Sequence, residues 1–214
     1  MLAIGQTLMT PGNRQELSTP IRISQGVRHR VGLSLLWGAL GLAIALIPRL
    51  GHTWLMMVKV ANANQSDLSD IAGLFARLLR GIPYYNAPAK EGEAKKYTGA
   101  TLTGKLAEDP NSVLVARDPD GTVVGFCFSH FDDFTIWIDW FGVDASSRQR
   151  GVGTAILKKI VQTAPKRRAH KVWCDTRADN EPSKRLLQKM GFTRLVEIKN
   201  HWYGQDFILW ERFV

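Results

Sequence analysis

From residue 54 onward the apolar positions of this chain switch repeatedly between a period of two and a period of 3.6. W-L-M-M-V-K-V-A from Trp54 is apolar over a strand's length. Leu68, Ile71, Phe75, Leu78 and Leu79 then fall on one helical stripe, with Ser66 or Asp67 expected as its cap and Gly81-Ile82-Pro83 as its stop. Tyr84 to Tyr97 reads as a polar stretch with paired aromatics, and a short helix is expected around Thr101 to Ala107. Val113–Ala116 and Val123–Phe128 are strands flanking D-P-D-G, the clearest hairpin signal in the chain. Phe134–Val143 is a fourth strand and Val152–Gln162 a helix with Val152, Ile156, Leu157, Ile160 and Val161 inward. Lys171–Thr176 is a fifth strand, Asn180–Met190 a helix closed by Gly191, and Leu195–Asn200 with Phe207–Arg212 a closing hairpin. Strands, then alternation, then a hairpin predict a mixed α/β sheet flanked by helices.

The first 54 residues read as an N-terminal extension to a domain at 55–214. Residues 1–30 are polar and without period, which predicts disorder. Val31–Ile47 is uncharged and seventeen residues long, at the lower limit for a membrane span. Arg22, Arg28 and Arg30 precede it, so a spanning topology would keep the N-terminus in the cytosol and export the domain. Three readings fit: a membrane anchor or interfacial helix, a helix packed on the domain or a partner, or translation from an upstream start codon. Met56 and Met57 stand at the domain's beginning.

The net charge of +9 suits an anionic ligand, RNA or an acidic membrane. The first 55 residues carry +4 of it, and the remaining +5 does not require nucleic acid, so none is expected. Lys166–Lys171, K-R-R-A-H-K, reads as a solvated loop. Cys127 and Cys174 have neither metal-ligand spacing nor a disulfide framework, which fits a reducing cytosol and predicts no metal.

The chemistry concentrates between the fourth strand and the helix after it, in V-D-A-S-S-R-Q-R-G-V-G-T from Val143 to Thr154. Glycines let backbone approach a ligand, successive amides entering a helix attract anions, and arginines bind phosphate oxygens. Strand alternation sets Trp137, Asp139, Phe141 and Val143 on one face. A carboxylate among aromatics is costly to bury, and desolvation is expected to raise the Asp139 pKa toward that of a useful base. A salt-bridged structural role is the alternative. Asp132 and Asp133 precede the strand, and neither His130 nor His201 has a partner at diagnostic spacing.

Val143, Arg148, Gly151 and Gly153 resemble the acetyl-CoA motif V-x-P-x-x-R-x-x-G-x-G of the GNAT superfamily of N-acetyltransferases, with Ala145 in place of Pro. Asn180, Ser183, Leu186, Gly191 and Phe192 match its second signature, N-x-x-[AS]-x-x-L-[YL]-x-x-x-G-F. The resemblance covers Val58 to Val214. It implies a largely antiparallel GNAT-type sheet whose fourth and fifth strands part at Trp140–Val143 and Trp173–Thr176. The amides of Phe141 and Val143 would then bind the pantetheine arm of acetyl-CoA, and those of Arg148, Gln149, Arg150, Gly151, Val152, Gly153 and Thr154 its pyrophosphate. Asn180 would also touch the cofactor besides capping its helix. Many relatives carry Glu or Asp at the position of Asp139, where it meets the substrate amine. Their Tyr that protonates the thiolate is Leu187 here. The implied activity is direct acetyl transfer to a primary amine, without an acyl-enzyme. Glu91, Glu93, Asp132, Asp133 and Asp139, placed near the presumed entrance, favour a cationic acceptor. A non-catalytic acetyl-CoA-binding or docking protein is the rival reading.

Overall fold

The computed structural model describes residues 58–214. The apolar segment at 31–47, the polar residues before it, and the 54/55 boundary lie outside those residues. No helix among the described residues is long and apolar enough to cross a membrane.

Seven strands form one mixed sheet: β1 (Lys59–Asn62), β2 (Val113–Arg117), β3 (Val123–Asp132), β4 (Thr135–Val143), β5 (Lys171–Arg177), β6 (Thr193–Ile198) and β7 (Phe207–Phe213). Their spatial order is β1-β2-β3-β4-β5-β7-β6. Every neighbouring pair is antiparallel except β4 with β5. The helices α1 (Leu68–Gly81), α2 (Ala87–Lys96) and α3 (Gly99–Glu108) precede the β2–β3 hairpin. The crossover from β4 to β5 carries α4 (Val152–Thr163), and α5 (Glu181–Lys189) follows β5.

Two cores lie on opposite faces. One joins Ile71, Leu74, Phe75 and Leu79 of α1 and Leu102 of α3 to Val113, Phe126 and Phe128 of the sheet. The other joins Ile156, Leu157 and Ile160 of α4 and Leu187 of α5 to Ile136, Ile138, Val172 and Cys174. Val161, expected inward, is only partly buried at that core's margin.

The α1 stripe is as the pattern predicts, but its cap is corrected. Asn64, not Ser66 or Asp67, accepts from the Ser66 N–H, and the Asp67 carboxylate returns a bond to the Asn64 N–H. The two close a capping box on a short 3₁₀ turn that runs into the helix. Asp67 is instead a buried partner of Arg117. The stretch 84–97 is also corrected. It contains α2, capped by the Asn86 side chain on the Ala89 N–H at 2.9 Å. A-P-A-K-E-G-E-A-K-K has no apolar stripe to announce it, and it buries only Ala89 and Glu93. The basic loop after α4 is not wholly solvated either, because Arg167 pairs with Asp109 and lies over the Phe131 ring.

Candidate active site

After β4 the chain makes a turn built by its own polar groups. The Asp144 carboxylate accepts from the Ser146 N–H at 3.0 Å and hydroxyl at 2.7 Å. Gln149 and Gly151 follow in the left-handed region, at φ 62° and 83°. α4 then starts at Val152 with no side chain capping its first amides, which leaves unpaired donors at the positive end of the helix dipole. Arg148 and Arg150 are exposed and enter no ion pair among the described residues. The Arg148 N–H is taken by Ala145 O at 3.5 Å, so the segment Gln149–Thr154, flanked by the Arg148 and Arg150 guanidiniums, is the cationic cradle of free N–H groups that fits a pyrophosphate.

Within the protein itself the two glycines also serve this turn through conformation and packing. A Cβ at Gly151 would meet nothing within 4 Å, so its requirement is the positive φ. A Cβ at Gly153 would stand 2.9 Å from Leu186 Cδ2, so its bare backbone lets α4 pack on α5.

Beside this turn the sheet divides. β4 and β5 pair only from Thr135↔Lys171 to Ile138↔Cys174. Beyond that pair, Asp139–Val143 and Asp175–Arg177 run on without pairing to each other. The fork therefore opens one residue earlier on β4 than expected and two later on β5, since Trp173 and Cys174 are still paired. The Asp144 N–H donates to Val124 O of β3 at 2.9 Å. By strand alternation, the N–H groups of Phe141 and Val143 point the other way, into the fork.

A β-bulge at the fork corrects the predicted strand face. β3 pairs Phe128 with Trp140 but Ser129 with Ile138, so Asp139 is the extra residue. The parity of β4 changes there. Ile136, Ile138, Phe141 and Val143 all face the α4 core, whereas Trp140 joins the α1 core. Trp137, Asp139, Phe141 and Val143 therefore do not share one face.

Asp139 is held by two basic side chains. Lys105 Nζ of α3 lies 2.9 Å from its Oδ2, and His130 Nδ1 of β3 lies 2.7 Å from its Oδ1. Burial is the largest single influence and raises its pKa, but the His130 hydrogen bond and the Lys105 charge and hydrogen bond together outweigh it. The net pKa is lowered, opposite to the expected direction. His130, which has no partner legible in the sequence, is brought to Asp139 by β3–β4 pairing.

Asp175, which the sequence reading passed over, stands across the fork. It is the first β5 residue beyond the last β4 pair. Its Oδ2 accepts from Trp202 Nε1 at 2.8 Å, and it forms no ion pair among the described residues. Burial, the largest influence, raises its pKa, and the nearby Glu93 charge adds to that. Glu93 is buried in α2 and accepts from Trp140 Nε1 at 2.9 Å and Tyr203 Oη at 3.0 Å. Tyr203 packs so closely on α2 that a side chain at Gly92 would collide with its ring. Of the other acids expected at the entrance, Glu91 pairs with Lys95 on the surface. Asp132 and Asp133 lie at the opposite end of β4 from the fork.

Asn180 caps α5, accepting from the Ser183 N–H at 3.3 Å. Leu187 is fully buried against the sheet. Both cysteines are buried, and burial pushes both thiols well above their usual range, so neither is a poised nucleophile. Among the described residues no group of three His, Cys, Asp or Glu could hold a metal ion.

A mixed sheet that parts between two parallel strands, with an uncapped cationic turn at the opening, is an architecture that fits a ligand with an extended arm and a pyrophosphate. The chain belongs to the Acetyltransferase (GNAT) family, which it matches over residues 78–192, more than half its length. It is 29% identical over 138 residues to mycothiol acetyltransferase of Clavibacter sepedonicus, across 63% of this chain and 42% of that protein. It is 30% identical over 109 residues to aminoglycoside N(6')-acetyltransferase type 1 of Klebsiella aerogenes, across 46% of this chain and 69% of that protein. The chain thus spans less than half the length of the mycothiol acetyltransferase it matches. The GNAT phosphinothricin acetyltransferase from Sinorhizobium meliloti, solved in complex with AcCoA, shares the fold at a TM-score of 0.63. Its identity is 16%, over 74% of this chain and 89% of that one.

Proposed function

We propose that this chain is an acetyl-CoA-dependent N-acetyltransferase that delivers acetyl directly to a primary amine. The observation that carries the reading is the fork between β4 and β5, opening beside the uncapped start of α4. The amides of residues 149–154, with the guanidiniums of Arg148 and Arg150, would hold the pyrophosphate. Those of Phe141 and Val143 would hold the pantetheine arm. Bound there, acetyl-CoA supplies a thioester whose acyl carbon accepts a nucleophile. The chain's part is to hold an amine against that carbon, which removes much of the entropic barrier, and to aim strand amides at the acyl oxygen. With both thiols suppressed by burial, direct transfer is favoured over an acyl-enzyme. Leu187 offers no hydroxyl for the departing sulfur, and a thiol pKa of roughly 8.5 makes the thiolate a tolerable leaving group without one.

The test is calorimetry of acetyl-CoA on the full chain, followed by CoA release with a panel of amines. Steady release with at least one amine is expected. Binding without release across small polyamines, aminoglycosides and peptide N-termini would establish the rival, a non-catalytic acetyl-CoA-binding protein. One observation favours that rival: Asp139, which the family pattern would make the base, is held in ion pairs.

A further inference from the structure

We propose that Asp175, the unpaired carboxylate on β5 at the root of the fork, is the group that receives the acceptor's ammonium proton, and that the acceptor is a polycationic primary amine. The assignment rests on the acetyltransferase reading above and adds a residue and a substrate class to it.

Position is the first reason. With Ile138↔Cys174 the last β4–β5 pair, Asp139 and Asp175 are the next residue on each strand. Val172 and Cys174 face the α4 core, so alternation sends Trp173 and Asp175 to the opposite face, the one bearing Trp140 and Glu93. Asp175 therefore opens on the side where an amine can approach a thioester lying in the fork.

Partnership is the second. Asp139 has both oxygens occupied, one by the Lys105 ammonium and one by the His130 ring. Asp175 has one neutral donor on Oδ2, and its Oδ1 has no hydrogen-bond partner among the described residues. The charged or titratable groups around it are Glu93 and Lys96 of α2, Tyr85 and Tyr97 flanking that helix, and His201 of the β6–β7 loop. Burial raises the Tyr85 and Tyr97 pKa values, so both phenols stay neutral. A carboxylate with a raised pKa and a free oxygen is the stronger base and has an open acceptor site, whereas one held on both oxygens has neither.

The walls are the third. Trp140 and Trp202 each turn an indole N–H onto a carboxylate here, Glu93 and Asp175. Trp202 and Tyr203 are large aromatics left 53% and 38% exposed on the loop that carries them. Carboxylates beside aromatic faces attract a desolvated ammonium. In the step, the ammonium gives one proton to Asp175. The freed nitrogen forms a bond to the acyl carbon, the carbon–sulfur bond breaks with its electron pair on sulfur, and the nitrogen's second proton leaves to water.

The test uses the full chain with acetyl-CoA and three acceptors, spermidine, kanamycin and an alanine-leading peptide, read by CoA release. Asp175→Asn is expected to melt no lower than wild type, keep its acetyl-CoA affinity, lose roughly 10²–10⁴ in kcat/KM, and lose the acidic limb of the pH profile. Asp175→Glu should restore part of the rate together with that limb. An unchanged limb in Asp175→Asn overturns the assignment, as does its disappearance in Asp139→Asn alone. A preference for the peptide over both polycations overturns the substrate class. Wild-type chain that binds acetyl-CoA yet releases no CoA with any of the three overturns the acetyltransferase reading itself, before any variant is made.

Discussion

The two strands of the fork each present a carboxylate at the same level, and their surroundings drive them in opposite directions. On β4, Asp139 is paired with the Lys105 ammonium and hydrogen-bonded to His130, and its pKa is lowered. On β5, Asp175 meets an indole N–H and a neighbouring carboxylate, and its pKa is raised. Identical chemistry in two environments gives one group suited to holding the sheet together and one suited to exchanging a proton. Residue type at a motif position therefore does not assign the role. The partners do.

The comparison presupposes a cofactor lying between the strands, and the largest effect comes from removing it. Gly151→Asp forces a side chain into φ 83° and puts a negative charge at the start of α4. Acetyl-CoA affinity should fall by about 100-fold or more, measured by calorimetry on protein whose melting curve is intact. With the cofactor gone, variants at Asp139 and Asp175 should differ only in stability. Unchanged affinity would show that the pyrophosphate lies elsewhere and that the fork is not the site.

Asp139→Asn comes next. It leaves the ammonium of Lys105, only 21% exposed, without its counter-charge, which should cost about 2 kcal/mol. A melting point lower by roughly 4–8 °C is the expected reading. Because the folded-state pKa is lowered, the stabilisation is present above the unfolded pKa and is lost as pH falls through the folded one. The penalty should thus be constant at neutral pH and shrink in acid. A melting point that does not move, with acetyl transfer abolished, would exchange the roles of the two carboxylates.

These two residues also show what was legible beforehand. The α1 and α4 stripes, the D-P-D-G hairpin and the Arg148–Thr154 turn are local patterns, and the structure keeps them. The bulge at Asp139 is not local. It is set by how β3 pairs, and strict alternation along β4 mispredicts Asp139 relative to Phe141 and Val143. α2 was hidden because it buries Ala89 and Glu93 in place of an apolar stripe. Glu93 meets Tyr203 110 residues away, through a loop that sequence spacing does not bring near α2. Asp175 had a signal that went unread. In K-V-W-C-D-T-R, alternation puts the acid on the face opposite Val172 and Cys174, a charge directly after the strand's apolar run V-W-C.

A smaller effect probes how Asp175 is held. Trp202→Phe keeps an aromatic wall and removes the one hydrogen bond recorded on this carboxylate. That bond favours the ionised form, so its loss should raise the Asp175 pKa further and move the acidic limb of kcat/KM to higher pH. On the acidic limb itself the fall should be about fivefold, the worth of roughly 1 kcal/mol. A uniform loss at every pH would mean that Trp202 acts only as a wall for the acceptor.

The smallest effect is thermodynamic, and it separates the two carboxylates without any substrate. A group whose pKa is raised on folding binds more protons in the native state between its unfolded and folded pKa values, so stability falls as pH rises through that window. Ionised Asp175 therefore weakens the fold at neutral pH. Asp175→Asn keeps an oxygen for Trp202 Nε1 and carries no charge, so it should be more stable than wild type at pH 7, by roughly 0.5–1 kcal/mol and about 1–4 °C. The advantage should vanish below the unfolded carboxylate range, where wild-type Asp175 is protonated in both states. Asp139→Asn should do the reverse, losing stability at pH 7 and converging on wild type in acid. Melting curves of the three proteins across pH provide the test. If Asp175→Asn is destabilised at neutral pH like Asp139→Asn, both carboxylates are structural and the fork holds no free base.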